Sequence, residues 1–488
     1  ELRNKTKALL LEKILNGNQF TLFTNFAIPQ FVALLVETFC FYLSAYFQAT
    51  FIDATFYNAS LIYNSFINLI SKYLPQSIAQ GHAIKIVSLI NDKKSKEDIQ
   101  SAVNNHFKIQ LIIGLLLSII GVLGTFILPQ FAPYQTYVIC QALFQPICFA
   151  LSSSYSIVFM LENRRLLMFS LTCVRPILQL FIELYGYSFN SAYIQNTPTT
   201  YGTIISFVLV AIWIVWLNFG KSALGVTNLQ EFPLKEIFNF EIFLNKQFFL
   251  DLGRLLIVSI NGLSNITSYV AVMICAMAVG NSYTDHLEME KMFYKLFVFA
   301  FFGMIFKCGA TALNGLYTQL SIQNSLVKNY SRLNATIVTV IVFSAVLNIL
   351  IYLALQNVNI IQMFTIKELQ DEDISVVLLY SAIAGLGQTI VEIVVTQNLV
   401  DNTQYILLAI PILKLIQVFM SSNYLQTQIG DEADYISVLF YTELNSMGCA
   451  VAILLVVIVN NWLKNKKSKT KKQVTKGLTL DEQLAEIK

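Results

Sequence analysis

Twelve apolar runs, each about 20 residues or longer, dominate this chain of 488 residues. About 20 apolar residues are needed for one helix to cross a bilayer. The runs cover 20–46, 50–75, 108–128, 134–161, 166–190, 200–219, 250–279, 285–320, 334–358, 374–399, 403–425 and 434–463. The eighth run is long and polar at its start, so its span is placed from about residue 293 on. Strand-length alternation of apolar and polar residues, the mark of a membrane barrel, is absent. Only 12% of the residues are charged, against about 25% in soluble domains. That balance excludes an ordinary soluble enzyme and a disordered chain. A net charge of +3, with lysines pooled at one end, excludes a nucleic-acid binder. The expected class is an all-α, multi-pass integral membrane protein, its membrane of residence unspecified.

The basic residues order the runs. Of 32 Lys and Arg, 24 fall in the N-terminal arm, the C-terminal tail and alternate loops. Those loops are 76–108, 162–165, 220–249 and 321–333, with the uncharged-by-base loop 400–402 completing the series. The opposite loops hold Lys367 alone, beside Glu368, Asp371, Glu372 and Asp373. Cytoplasmic loops carry the excess of Lys and Arg, so both termini are expected in the cytoplasm. Residues 1–19 read as a polar, basic cytoplasmic arm and not as a cleaved leader. The tail 464–488 opens with a lysine run from Lys464 to Lys476. That run is either an orientation signal in a solvated tail or a contact for anionic lipid.

The longest polar connection, 220–249, divides the chain into two halves of six runs. Residues 20–219 are expected to form an N-lobe and residues 250–463 a C-lobe. A shift of 235 residues places Arg175-Pro176-Ile177-Leu178-Gln179-Leu180 on Ile410-Pro411-Ile412-Leu413-Lys414-Leu415, and Glu162-Asn163 on Gln397-Asn398. Six runs per half is an even number, so the two halves share one orientation, a parallel repeat about an axis along the membrane normal. Two such bundles enclose a central cleft.

Several local patterns sit where a known family carries its signatures. Phe26-Ala27-Ile28-Pro29 opens helix 1, Asn58-Ala59-Ser60 lies in helix 2, and Ser77-Ile78-Ala79-Gln80-Gly81-His82-Ala83 closes helix 2. Gly309-Ala310-Thr311 through Gln319, at the end of helix 8, is the matching stretch in the second half, and Ala382-Ile383-Ala384 to Asn398 lies in helix 10. With these motifs the chain resembles the multidrug and toxic compound extrusion (MATE) family, within the multidrug, oligosaccharidyl-lipid and polysaccharide flippase superfamily. The resemblance implies multidrug efflux: a secondary transporter that exports an organic solute by alternating access in antiport with H⁺ or Na⁺. It also marks departures. Ser44 stands where many members carry a helix 1 Asp, and Asn265 where many carry a helix 7 Glu. Gln179-x-x-x-Glu183 matches the helix 5 Asn-x-x-x-Asp with one methylene more.

Ionisable residues inside the membrane face cavities or partners, because a charge at the bilayer centre costs about 2.5–3.5 kcal/mol on insertion scales. Glu183, Gln179 and Glu37 are the candidates for ion coupling. Gln179 and Glu183 share a helix face at i, i+4. Glu183 either forms a protonatable site, with Glu37 if their helices approach, or pairs with Arg175 or caps near the interface. Ser44, Asn58, Asn265, Lys307, Glu392 and Lys414 are the candidates for the substrate cleft. Lys414 is expected to pair with Glu392, to snorkel to an interface, or to attract an anionic substrate; Lys307 with Glu392 is the other expected pair. Asp285, Glu288, Glu290, Lys291 and Lys295 are expected to pair along a solvated helix end. The seven Cys lie in apolar runs without a C-x-x-C pair and read as reduced packing residues. No catalytic, metal-binding or cofactor motif stands out, so an enzyme is not expected. The alternatives to an antiporter are a transport-inactive accessory subunit of a membrane complex and a flippase for lipid-linked substrates.

Overall fold

The computed structural model describes residues 18–51, 71, 74–91, 95–127, 135–161, 165–189, 204–209, 212, 263–283, 285–326, 328–357, 374–401, 409–427 and 434–477. Eleven helices account for nearly all of them: α1 Gln19–Phe51, α2 Leu74–Asn91, α3 Lys96–Ile127, α4 Gln135–Leu161, α5 Arg165–Phe189, α6 Leu263–Ser282, α7 His286–Leu326, α8 Tyr330–Asn357, α9 Ser375–Asp401, α10 Ala409–Thr427 and α11 Tyr435–Gly477. Among the described residues there is no strand. Seven of these helices are long and apolar enough to cross a membrane. Their lipid-side character is plain on α3, where Leu115, Leu116, Ile119, Ile120, Leu123 and Phe126 are all exposed. The chain is a multi-pass integral membrane protein.

Helix starts follow local chemistry. The first backbone N–H groups of a helix have no partner within it and are met by a capping side chain. Asn18 accepts from the N–H of Phe20 at 2.9 Å, Ser95 from Asp98 at 3.1 Å and Asp285 from Leu287 at 2.8 Å. Asp434 caps α11, accepting from Ile436 at 3.1 Å and Ser437 at 3.2 Å. Between α7 and α8 the chain turns through Lys328, whose φ is 55°. The N–H of Lys328 returns to Ser325 O at 3.0 Å and that of Asn329 to Asn324 O at 2.8 Å. This is the Schellman arrangement, which closes the open carbonyls of a helix end.

Three expected boundaries move. Residues 76–108 are not a loop: α2 and the first turns of α3 occupy most of them. Their polarity is too high for a span, but Lys, Glu and Gln are good helix formers and keep a polar segment helical. The eighth run forms a helix from His286, as its charged start implies, and the apolar candidate span begins there and not near 293. Along its start Lys291 pairs with Glu288 at 2.8 Å, and His286 Nδ1 lies 3.3 Å from Glu290. The last helix runs on through the lysine-rich segment to Gly477, for the same propensity reason. The runs 50–75 and 200–219 and the connection 220–249 lie mostly or wholly outside the described residues.

The pairing of helices repeats between the halves. In the first half α1 packs on α5, α2 on α3 and α4, and α3 on α4. In the second, α6 packs on α10, α7 on α8 and α9, and α8 on α9. The same four pairings recur five helices later. Among the described residues α1 joins the halves: it lies along α7 as well as α5. Gln19 donates to Thr336 Oγ1 at 2.7 Å and to Arg332 O at 3.2 Å, and accepts from Thr339 at 3.1 Å. Further along, Thr38 Oγ1 lies 3.4 Å from Cys308 Sγ, and the Tyr42 ring stacks on Phe301 with centroids 4.2 Å apart.

Close packing of α3 on α4 depends on one missing side chain. A Cβ on Gly114 would sit 3.0 Å from Ile147 Cα, 3.1 Å from Ala150 Cβ and 3.2 Å from Pro146 O. One turn on, Ser118 Oγ donates across the same seam to Leu143 O at 2.8 Å. Small residues at such contacts let membrane helices approach. Gly114→Ala is expected to destabilise by about 1–3 kcal/mol, the usual cost of overpacking. Gly114→Val should cost more. Thermal unfolding in detergent checks both; unchanged midpoints would mean that the helices part without loss.

Candidate functional site

Helix α5 carries Arg175, Gln179 and Glu183 at intervals of four residues, so they stand above one another on a single face. Glu183 is fully buried, with 0% of its surface exposed. Such a carboxylate is stable in a membrane interior only if its oxygens find donors. Both do. Gln179 Nε2 donates to Oε1 at 2.9 Å, and Ser44 Oγ on α1 donates to Oε2 at 2.5 Å. Arg175 Nη1 in turn donates to Gln179 Oε1 at 2.8 Å. The guanidinium is seated against two rings, 5.0 Å from the centroid of Phe207 and 5.7 Å from that of Phe149. The Gln179 amide thus relays a positive charge to Glu183 across two helical turns. Ser44 closes the other side and ties α5 to α1, the helix shared with the second half.

The second half holds a different arrangement on the equivalent helix pair. Lys414 on α10 is buried, 4% exposed. Its ammonium donates to Ser268 Oγ on α6 at 2.6 Å and to Glu443 Oε1 on α11 at 2.5 Å. Gln388 Nε2 on α9 donates to the same Ser268 at 3.4 Å. Lys414 therefore neither snorkels nor pairs with Glu392; Glu443 is its counter-ion. Four helices meet at this cluster.

The structure brings Ser44, Gln179 and Glu183 together as one cluster and Lys414 into another. Glu37 is half-buried two turns before Ser44. Lys307 is buried on α7 with its ammonium 5.6 Å from the Tyr269 ring centroid. Glu392 is buried on α9. Asn58 lies outside the described residues, as does the side chain of Asn265. Three residues of the second cluster are not among the candidates drawn from the sequence: Glu443, Ser268 and Gln388. Glu443 carries a signal: it is an acidic residue inside a strongly apolar run, which by itself marks a partner or a cavity. Ser268 carries none, since serine is common in membrane helices. The seven cysteines are all free.

No family model matches the chain, and no curated protein matches it by sequence. The fold matches solved transporters over nearly its full length. An outward-facing multidrug resistance MATE family transporter of the MOP superfamily aligns with TM-score 0.69 and 12% identity, covering 93% of this chain and 98% of that one. A MOP superfamily transporter from Pyrococcus furiosus Vc1, described as having a binding pocket of reverse polarity, aligns with TM-score 0.69, 12% identity and the same coverage. A MATE protein in its straight conformation aligns with TM-score 0.66, 13% identity and again 93% and 98% coverage. At such identity the likeness is one of fold: the chain has the MATE transporter architecture.

Proposed function

We propose that this chain is a secondary active transporter that moves an organic solute across the membrane by alternating access, in exchange for H⁺ or Na⁺. Glu183 is the coupling carboxylate, with Ser44 and Gln179 as its donors. The single observation behind this reading is a fully buried carboxylate joining α1 to α5 within a MATE transporter architecture. A carboxylate in a dry, pre-formed polar pocket can take up a proton or a sodium ion and release it when the pocket opens. Loading the site changes the demands on Ser44: a protonated Glu183 no longer needs both donors, and a bound cation needs the Ser44 oxygen as ligand. Either event loosens or reorients α1, and α1 also lies along α7 of the second half. Ion occupancy at Glu183 is thereby linked to the seam between halves, which is what coupling requires.

The central cleft between the halves is the proposed path, with Lys307 and Glu392 as its charged residues in the second half. The partners are a lipid bilayer, a small organic solute and the coupling ion. The test is flux of fluorescent organic cations in proteoliposomes under an imposed pH or sodium gradient. Expected is dye movement that needs the gradient and stops when the gradient is collapsed. Dye movement equal in protein-free vesicles would remove the antiporter reading. If the folded protein is inert and migrates on native gels in a stable complex, the chain is an accessory subunit.

A further inference from the structure

The two halves meet the same physical problem with opposite solutions. On the α1–α5 pair a serine faces a carboxylate, Glu183. On the equivalent α6–α10 pair a serine faces an ammonium, Lys414. The 235-residue shift that aligns the halves places Lys414 on Gln179, the residue beside Glu183. The carboxylate of the second cluster comes from α11, as Glu443, and it is buried, 8% exposed. From this we infer that the second half contains a monovalent-cation site whose cation is built in: the Lys414 ammonium occupies, between Glu443 and Ser268, the place a proton or sodium ion would otherwise take.

The argument rests on charge and geometry. A buried carboxylate must be neutralised by a proton, a metal ion or a fixed positive charge. Lys414 meets Glu443 at 2.5 Å and Ser268 at 2.6 Å, so the ammonium sits directly among oxygen donors. Gln388 supports Ser268 from a fourth helix. An ammonium is a compact point charge with three donors, and it substitutes for a hydrated ion more readily than a planar guanidinium does. With Lys414 in place the cluster is neutral and takes no ion from solution. Remove the ammonium and Glu443 is left needing a cation. Of the elements packed against α11, α6 brings Tyr269 and Cys275 and no charged side chain. In the membrane interior, α7 brings Lys307, α9 brings Glu392 and α10 brings Lys414, while the one charge of α8, Arg332, sits in its first turn.

The test is Lys414→Met in a Glu183→Gln background, so that any ion dependence belongs to the second half whatever the fate of the proposed coupling site. Thermal unfolding is followed in sodium chloride against choline chloride, and from pH 5 to pH 9. A ligand that binds only the folded state raises the melting temperature with its concentration. Expected is a midpoint that rises by about 3 °C or more with sodium, or as pH falls, in Lys414→Met. A sodium response without a pH response identifies a metal-ion site, and the reverse a proton site. Lys414→Arg and the paired Lys414→Met/Glu443→Gln variant should show neither response. Equal midpoints in all conditions for folded Lys414→Met would overturn the inference. So would recovery of the paired variant with the single one unrecoverable in every salt and pH. Loss of both would also overturn it, because the cluster would then serve packing and not charge.

Discussion

Glu183→Gln should abolish gradient-driven transport by tenfold or more while leaving the protein folded. The substitution is nearly isosteric. The amide oxygen can still accept from Ser44 or from Gln179, so the α1–α5 contact loses at most one hydrogen bond, about 0.5–1.5 kcal/mol. What it loses completely is the ability to change charge. An amide neither binds nor releases a proton near neutral pH, and its oxygen is a much weaker ligand for sodium than a carboxylate. Coupling and stability are therefore affected very differently, and the pair of measurements separates them. Dye flux in proteoliposomes reports the first and the melting temperature the second. Solute exchange without a gradient should survive in part, because the cleft is untouched. Glu183→Asp pulls the carboxylate back by one methylene and should retain weak, gradient-dependent flux. Full activity in a folded Glu183→Gln would take Glu183 out of the mechanism and return it to a structural role with Arg175 and Gln179.

Much of this architecture is legible in the residues, because bilayer thickness imposes one simple length. Ten of the twelve apolar runs fall on described helices, and seven of them, all but 108–128, 250–279 and 434–463, agree with their helix to within about six residues at both ends. The Glu183–Gln179 contact was also readable, since i, i+4 spacing on a helix fixes which side chains meet. The helix ends were less so: the polar segments after Pro75 and after Leu463 stay helical because Lys, Glu and Gln satisfy helix propensity without any hydropathy signal. Partners across helices were the hardest. Lys414 shares its half with two buried acids, Glu392 and Glu443, and hydropathy does not distinguish them. The choice is made by packing, since α10 lies against α6 and α11. Ser44 gains its meaning from the contact of α1 with α5, because a serine in an apolar helix is ordinary until a carboxylate lies opposite it.

A disulfide between Thr38→Cys and the native Cys308 should stop transport when formed and release it when reduced. The two positions face each other across the α1–α7 seam, with Thr38 Oγ1 and Cys308 Sγ 3.4 Å apart in a buried contact. Small side-chain rotations bring such a pair to the sulfur–sulfur distance of about 2.05 Å that a disulfide needs. One turn further along α1, Tyr42 stacks on Phe301, so the seam continues as an aromatic contact. If the halves rock against each other, α1 and α7 must slide or separate along this line in at least one state of the cycle. A covalent bond at Thr38 forbids it. The expected result is a loss of dye flux of tenfold or more after oxidation with a membrane-permeant oxidant, with recovery in reductant. Thr38→Cys/Cys308→Ser should be indifferent to both reagents, which excludes effects through the other free cysteines. Flux that persists with the crosslink verified by mass spectrometry would mean that α1 and α7 move as one body. The motion that exposes Glu183 would then have to pass between α1 and α5, where Ser44 is the contact that breaks.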